Sequence, residues 1–288
     1  MTRPETVPAP RRKRRGVVQT IAAAPHALWC VLFILAPMAF VVYYAFTDAD
    51  GAFTIYNINE VFSASYLRIL ERSILYALVA TAICLVLAYP LAYAITKMKA
   101  RHQPQIIMLL MLPMWINLLI RTYSLKILLE TNGVINHALA WVHLGPVHFL
   151  NSNFAIILGM VYNYLPYMVL PIYSVLVKID RRLIEAAQDL GCNSRQVLGR
   201  VTFPLSLSGV ISGITMVFVP SISTFFISKS LSDGRVKLIG DVIETEISMH
   251  NVAAYNIGSA LSFVLMVLIL VSLFVTNKFG EKDGGVIV

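Results

Sequence analysis

The residues of this chain with the most specific spacing lie in a polar stretch between two long apolar segments, residues 178–204. In order they are Glu185, Ala186, Ala187, Gly191, Val201, Phe203 and Pro204. They include no recognisable nucleophile, base or set of metal ligands, so the sequence predicts no catalytic, cofactor-binding or metal-binding residue here. They offer a surface instead. A carboxylate near the start of a helix is favoured by the helix dipole, and two alanines beside it let another protein approach closely.

The stretch also contains the signals for two short helices. Residues 183–190 are good helix formers, and Gly191 suits the left-handed turn that ends a helix. Asn193 or Ser194 can then cap a second helix, and Pro204 can begin the next apolar segment, where its missing N–H costs least. The sequence therefore predicts two helices that meet at an angle. The alternative is an ordinary basic loop, because four arginines lie within it.

The composition predicts an integral membrane protein. Of the 288 residues, 58% are apolar and 13% charged, whereas about a quarter of residues are charged in soluble domains. A helix needs about 20 apolar residues to cross the hydrocarbon layer of a membrane. We therefore expect an all-α polytopic membrane protein with six transmembrane helices. The predicted spans are residues 27–46, 73–96, 105–125, 153–177, 205–228 and 257–277.

The distribution of charge predicts the orientation of these spans. If the N-terminus is cytoplasmic, the inside segments hold 16 of the 23 Lys and Arg residues, and such a bias sets membrane topology. We expect an N-in, C-in protein with a transmembrane domain at 27–277. The basic tail 1–26 is predicted to be disordered, and a short cytoplasmic tail covers 278–288. Arg11–Arg15 is typical of contact with anionic lipid head groups, and we expect no nucleic-acid partner.

Two missing patterns indicate how such a protein would be driven. The sequence has no glycine-rich phosphate loop ending in Lys-Ser or Lys-Thr, so we expect that this chain does not itself hydrolyse ATP. The middle of each predicted span lacks ionisable residues, and Arg121 is expected at the membrane interface. Ion-coupled carriers usually place such groups at depth. An ion-coupled secondary carrier and a purely structural membrane subunit remain the alternatives from other functional classes.

The spacing in residues 185–204 resembles the "EAA" loop of bacterial ABC-importer permeases, the MetI-like superfamily. That pattern is Glu-Ala-Ala, three residues, Gly, nine residues and Ile-x-Leu-Pro. Here Val201 and Phe203 replace the Ile and Leu. The six spans, the sequence 203–207 and the sequence 238–244 are similar to the polyamine (spermidine/putrescine) branch, in particular its B-type subunit. Permeases for iron, sulfate and thiamine share the architecture, so the resemblance leaves those solutes open.

The resemblance implies a permease subunit in the bacterial inner membrane that is not itself an enzyme. Its expected partners are a homologous second permease, two ATP-binding subunits that carry ATP and Mg, and an extracytoplasmic solute-binding protein. In this family the loop docks on the ATP-binding subunit. Residues 178–204 are therefore named the coupling loop.

A polyamine path needs carboxylates and aromatic faces, because both bind ammonium groups. Asp241 and Glu244 are three residues apart in the last outside segment, so one helix face can present both. The candidates for the substrate path are Tyr162, Asn163, Tyr164, Phe225, Asp241 and Glu244. The alternative is that the acids belong to a solvated outer surface or to a docking patch for the binding protein.

Overall fold

The structure is a computed structural model that describes residues 17–143, 145–249 and 251–284. These residues are almost entirely helical, with an isolated bridge between Thr47 and Phe53. In chain order the helices are α1 (Val17–Cys30), α2 (Ala36–Ala45), α3 (Tyr56–Val61), α4 (Ala64–Thr96), α5 (Gln103–Met111), α6 (Leu118–Leu129), α7 (Val134–Trp141), α8 (Asn153–Leu176), α9 (Arg181–Asp189), α10 (Ser194–Val197), α11 (Phe203–Leu205), α12 (Leu207–Ile222), α13 (Phe226–Ser232), α14 (Ile239–Ser248) and α15 (Val252–Gly284). Wider π-turns occupy Val31–Leu35 and Leu198–Thr202, and a 3-10 turn occupies Leu112–Trp115.

The all-helical, multi-pass architecture is confirmed. Four segments within the described residues are long and apolar enough to cross a membrane, and two bent helix pairs bring the number to six if each pair is one span. The four segments are Ala23–Ala45, Ala64–Thr96, Asn153–Leu176 and Val252–Thr276. They match the first, second, fourth and sixth predicted spans, with ends that differ by up to nine residues.

The third predicted span, 105–125, is broken rather than straight. Gln103–Trp115 and Leu118–Trp141 meet at 92°. Ile116 adopts an extended conformation, and Asn117 starts a new helix by accepting a hydrogen bond from the N–H of Leu119 at 2.8 Å. Hydropathy cannot detect this bend, because both arms are apolar.

The fifth predicted span, 205–228, is also bent and ends early. Ser194–Leu205 and Leu207–Ile222 meet at 66°, and α13 is a separate helix. The chain leaves α12 at Ser223, where Gly240 of α14 packs closely against the backbone. A Cβ on Gly240 would lie 2.6 Å from the carbonyl oxygens of Ser223 and Thr224.

The centre of the fold consists of α4, α8 and α12, which pack against one another. Two glycines let α12 approach α8. A Cβ on Gly209 would lie 2.8 Å from the carbonyl oxygen of Pro171, and one on Gly213 would lie 2.6 Å from the sulfur of Met168. The glycine pair therefore serves packing within the chain, as interfaces between membrane helices commonly require.

The prediction of a disordered tail over 1–26 is wrong for residues 17–26, which belong to α1. Pro4, Pro8, Pro10 and the basic cluster all lie upstream of residue 17, whereas 17–26 is mostly apolar and rich in alanine. The basic cluster Arg11–Arg15 lies outside the described residues. At the other end, α15 continues to Gly284, beyond the predicted start of the C-terminal tail, and 285–288 are not described.

The N-in, C-in orientation is a prediction that labelling can test. If the charge bias sets the topology, Cys192 faces the cytoplasm. In a variant with Cys30→Ala and Cys84→Ala, a membrane-impermeant maleimide should label Cys192 after lysis and leave it unlabelled in intact spheroplasts. Thr54→Cys in the first outside segment, combined with Cys192→Ala, is the matched control and should react before lysis. The opposite pattern would invert the topology.

Candidate functional site

The first helix of the coupling loop, α9, starts two residues earlier than expected. The carboxylate of Asp180 accepts a hydrogen bond from the N–H of Arg182 at 2.9 Å and caps the helix. The helix predicted from the sequence covers residues 183–190 and does not include this cap. The signal was present, because Asp is among the residues preferred at a helix N-cap.

Gly191 ends α9 in a left-handed turn, as predicted. Its φ is +86°. The N–H of Gly191 donates to the carbonyl of Gln188 at 2.8 Å, and the N–H of Cys192 donates to that of Ala187 at 3.1 Å. This pair of bonds is the Schellman motif, which satisfies the last carbonyls of a helix and reverses the chain.

Asn193 begins the second helix by a reciprocal cap. Its side chain accepts from the N–H of Gln196 at 2.9 Å, and the Gln196 side chain accepts from the N–H of Asn193 at 2.8 Å. Of the two predicted caps, Asn193 is therefore confirmed. Helical structure then continues from α10 through the π-turn Leu198–Thr202 into α11. Pro204 crowds the preceding turn of an α-helix, and the wider turn relieves that crowding.

The motif residues of α9 form an open surface. Glu185 and Ala186 are exposed, and the Glu185 carboxylate lies 3.1 Å from the guanidinium of Arg181 across one helical turn. Leu190, which is not among the motif residues, is 87% exposed at the end of the helix. A charged pair, a small side chain and a projecting apolar side chain suit contact with another protein.

The remaining motif residues form the connection to α12. Val201 is half-buried, and Pro204 is exposed. The ring of Phe203 packs against that of Tyr89 in α4, with 5.5 Å between ring centroids. This end of the coupling loop is therefore attached to the helix bundle, whereas α9 is open.

The three candidates in α8 for the substrate path face different surroundings. Tyr162 is 43% exposed on the outside of the bundle. Asn163 is fully buried and lies 3.4 Å from the hydroxyl of Thr122. The hydroxyl of Tyr164 donates to the carbonyl of Pro220 at 3.3 Å. The structure does not bring these three side chains to one surface.

Asp241 stabilises the start of α14. It is 7% exposed, and its Oδ2 accepts from the hydroxyl of Ser228 at 2.7 Å and from the N–H of Leu238 at 2.8 Å. Burial raises the pKa of this carboxyl, against the opposing effects of the two hydrogen bonds and of Lys229. The expectation that Asp241 and Glu244 share an open surface is therefore wrong.

Glu244 and Phe225 do meet, in a groove of about 490 Å³ between the end of α12, α14 and α15. Its other lining residues include Ser223, Ser262, Leu265, Met266 and Ile269. The ammonium of Lys229 lies 3.0 Å from the carboxylate of Glu244. The groove thus combines an apolar wall, an aromatic ring and a carboxylate that already accepts an ammonium group.

Arg121, which the sequence predicts at the membrane interface, is buried in the bundle. The side chain is 6% exposed, and its Nη1 donates to the carbonyl of Pro113 at 3.3 Å. Pro113 lies just before the 92° bend, so the guanidinium joins the two arms of the broken span. A cation at the C-terminal end of a helical segment is also favoured by the helix dipole.

The helix bundle, with an exposed two-helix loop between its fourth and fifth apolar segments, has the architecture of a multi-pass membrane protein. The model of the family described as binding-protein-dependent transport system inner membrane component matches residues 14–280. The chain belongs to this family, whose members are bacterial membrane proteins.

Two relatives show the extent of the similarity. The spermidine/putrescine transport system permease protein PotB of Haemophilus influenzae is 36% identical over 265 residues, which cover 89% of this chain and 92% of that protein. PotB of Escherichia coli K12 is 35% identical over 255 residues, or 86% and 92% of the two chains.

The fold is similar to that of a chain in the crystal structure of a bacterial alginate ABC transporter in complex with an alginate pentasaccharide-bound periplasmic protein. The TM-score is 0.78 at 18% identity, over 93% of this chain and 95% of that one. At this identity the likeness concerns the fold alone.

Gly191→Val should loosen the turn of the coupling loop. No described atom lies within 4 Å of a Cβ placed there, so the cost is that of the left-handed backbone, about 1–2 kcal/mol for a non-glycine residue. Gly191→Asn is the matched control, because Asn tolerates this conformation. We expect amide hydrogen exchange over residues 187–196 to accelerate about 5- to 30-fold in the Val variant. Equal exchange in both variants would contradict the role given to Gly191.

Asp241 joins α14 to α13 through Ser228, so that these two helices form a hairpin. Asp241→Ala should lower the stability of this hairpin. It leaves the N–H of Leu238 without its acceptor, and such a loss costs about 1–3 kcal/mol. Asp241→Asn retains an acceptor oxygen without a buried charge and should cost less. Thermal unfolding of the purified protein in detergent measures both. Asp50→Ala, at an exposed carboxylate, should leave the melting temperature unchanged. If Asn and Ala lower it equally, the hydrogen bonds of Asp241 do not support the hairpin.

Proposed function

We propose that this chain is the permease subunit of an ATP-driven importer for polyamines and that force from partner ATPases enters through its coupling loop. The observation that carries this proposal is the open surface of α9, held by the Schellman turn at Gly191 and formed by motif residues Glu185, Ala186 and Ala187.

The proposed partners follow from the family and from this surface. They are a homologous second permease, two ATP-binding subunits that carry ATP and Mg, and an extracytoplasmic solute-binding protein. Support comes from the family description, which makes transport dependent on a binding protein. The alginate transporter with a related fold was likewise crystallised with its periplasmic protein. In this arrangement the chain itself performs no chemistry.

Polyamines are favoured as the solute on two grounds. The two PotB relatives, each matched over 92% of its own length, are spermidine/putrescine permeases. In addition, an ammonium group fits beside Glu244, since Lys229 Nζ already lies 3.0 Å away, and a methylene chain fits the apolar wall of the groove. Sulfate would be repelled by that carboxylate, whereas iron and thiamine are distinguished by direct assay.

The test is uptake by the complete importer reconstituted in proteoliposomes with its binding protein outside and ATP inside. We expect ATP-dependent accumulation of labelled spermidine or putrescine, unaffected by ionophores that collapse ion gradients. Unlabelled polyamines should compete, and thiamine and ferric iron should not. Accumulation driven by an ion gradient without ATP would replace the proposal by a secondary carrier.

Glu244→Gln should weaken polyamine uptake. A carboxylate–ammonium hydrogen bond contributes up to about 1.5–3 kcal/mol when buried and less when partly exposed. We therefore expect the apparent KM for spermidine to rise about three- to tenfold. Asp50→Asn removes an exposed carboxylate elsewhere in the outside segments and should leave the KM unchanged. If the two variants behave alike, Glu244 belongs to the solvated surface.

A further inference from the structure

Ser206 is the point at which the coupling loop turns into the membrane. It separates α11 from α12 with φ −94° and ψ 1°, and the helical segments on either side meet at 66°. A bend of this kind absorbs movement if it is soft. Whether displacement of the coupling loop reaches α12 therefore depends on what holds Ser206.

Two hydroxyl groups hold it. The hydroxyl of Ser206 donates to the carbonyl of Phe203 at 2.9 Å, and the hydroxyl of Tyr89 lies 2.9 Å from the same Ser206 oxygen. A serine hydroxyl has one proton. Either oxygen can donate in the contact between the two hydroxyls, and when the Ser206 proton points at Phe203, Tyr89 is the donor.

The surroundings make this contact stronger than a surface hydrogen bond. Ser206 is fully buried, so water does not compete for its hydroxyl. The ring of Tyr89 also packs on that of Phe203. Tyr89 belongs to α4, which packs against both α8 and α12 in the centre of the bundle. The bend is thus fastened to a helix that is remote from it in sequence.

We propose that Tyr89 is a positioning residue for energy coupling. Its hydroxyl and ring lock the bend at Ser206, so that a displacement of the coupling loop moves α4 and α12 together instead of being absorbed at the bend. This inference rests on the proposed function for its transport consequence. The rigidity of the bend, however, is a property of this chain that can be measured separately.

The transport test uses Tyr89→Phe, which keeps the ring against Phe203 and removes the hydroxyl. In the complete reconstituted importer we expect ATP hydrolysis to continue while polyamine transported per ATP falls about three- to tenfold, the factor by which one hydrogen bond of ordinary net strength biases a two-state equilibrium. Tyr93→Phe is the matched control. It removes a hydroxyl one helical turn later, where the ring faces the ammonium of Lys97, and should leave the ratio unchanged.

Ser206→Ala tests the same contact from the other side. It removes both the acceptor for Tyr89 and the donor to Phe203. It should lower the transport-to-ATP ratio, and the double variant with Tyr89→Phe should lose no more than Ser206→Ala alone, because residues that act through one contact are not additive. Additive losses would mean that Tyr89 acts through something other than Ser206.

The bend itself is measured by the distance between two spin labels in the complete importer. One is placed on Cys192 in the coupling loop and the other on Ser212→Cys, an exposed position of α12, with Cys30 and Cys84 replaced by alanine. We expect a broader distance distribution in Tyr89→Phe than in Tyr93→Phe.

An unchanged distribution, or transport and hydrolysis that fall in proportion, would overturn the inference. If the wild-type importer moves no polyamine, the failure belongs to the proposed function, and the spin-label distances still decide whether Tyr89 holds the bend at Ser206.

Discussion

The close packing of α8 against α12 is the contact on which the rest of the site depends. The coupling loop joins these two helices, and their backbones meet just inside its ends, where Gly209 lies against the carbonyl of Pro171. A side chain at Gly209 would push the helices apart and separate the two ends of the loop. With the ends held, the capped helices α9 and α10 keep a fixed place at one end of the bundle, and their open surface has a defined direction.

The coupling loop was predictable because its structure is local. Gly191 and Asn193 find their hydrogen-bond partners within five residues along the chain, and the preferences of Gly and Asn at helix ends are strong enough to be recognised in sequence. The spans were predictable as apolar runs for a similar reason. A helix in hydrocarbon satisfies its backbone groups within itself, so length and hydropathy suffice to find it.

The bends and the buried polar contacts were not predicted, because an apolar run does not reveal where its helix breaks and the contacts join different helical segments. Tyr89 and Ser206 are 117 residues apart, and neither residue type indicates the other. Arg121 was placed at the membrane interface because the third apolar run needs residues 121–125 to reach the length of a span. The 92° bend instead supplies it with the carbonyl of Pro113 inside the protein. A broken helix thus makes room for a charge that a straight span would have to expose.

The two neighbouring carboxylates of α14 show how burial divides roles that spacing alone cannot separate. Asp241 and Glu244 are three residues apart, yet the first satisfies a helix end inside the fold and the second lines an open groove. Asp241 holds the hairpin in place with bonds that water does not reach. Glu244 has a single exposed partner in Lys229, and exposed ion pairs are weak, commonly below about 1 kcal/mol. Under the proposed function, such a pair would exchange the ammonium of Lys229 for that of a passing polyamine at little cost. Asp241, by fixing the start of α14, therefore also fixes the position of Glu244 one turn later on the same helix.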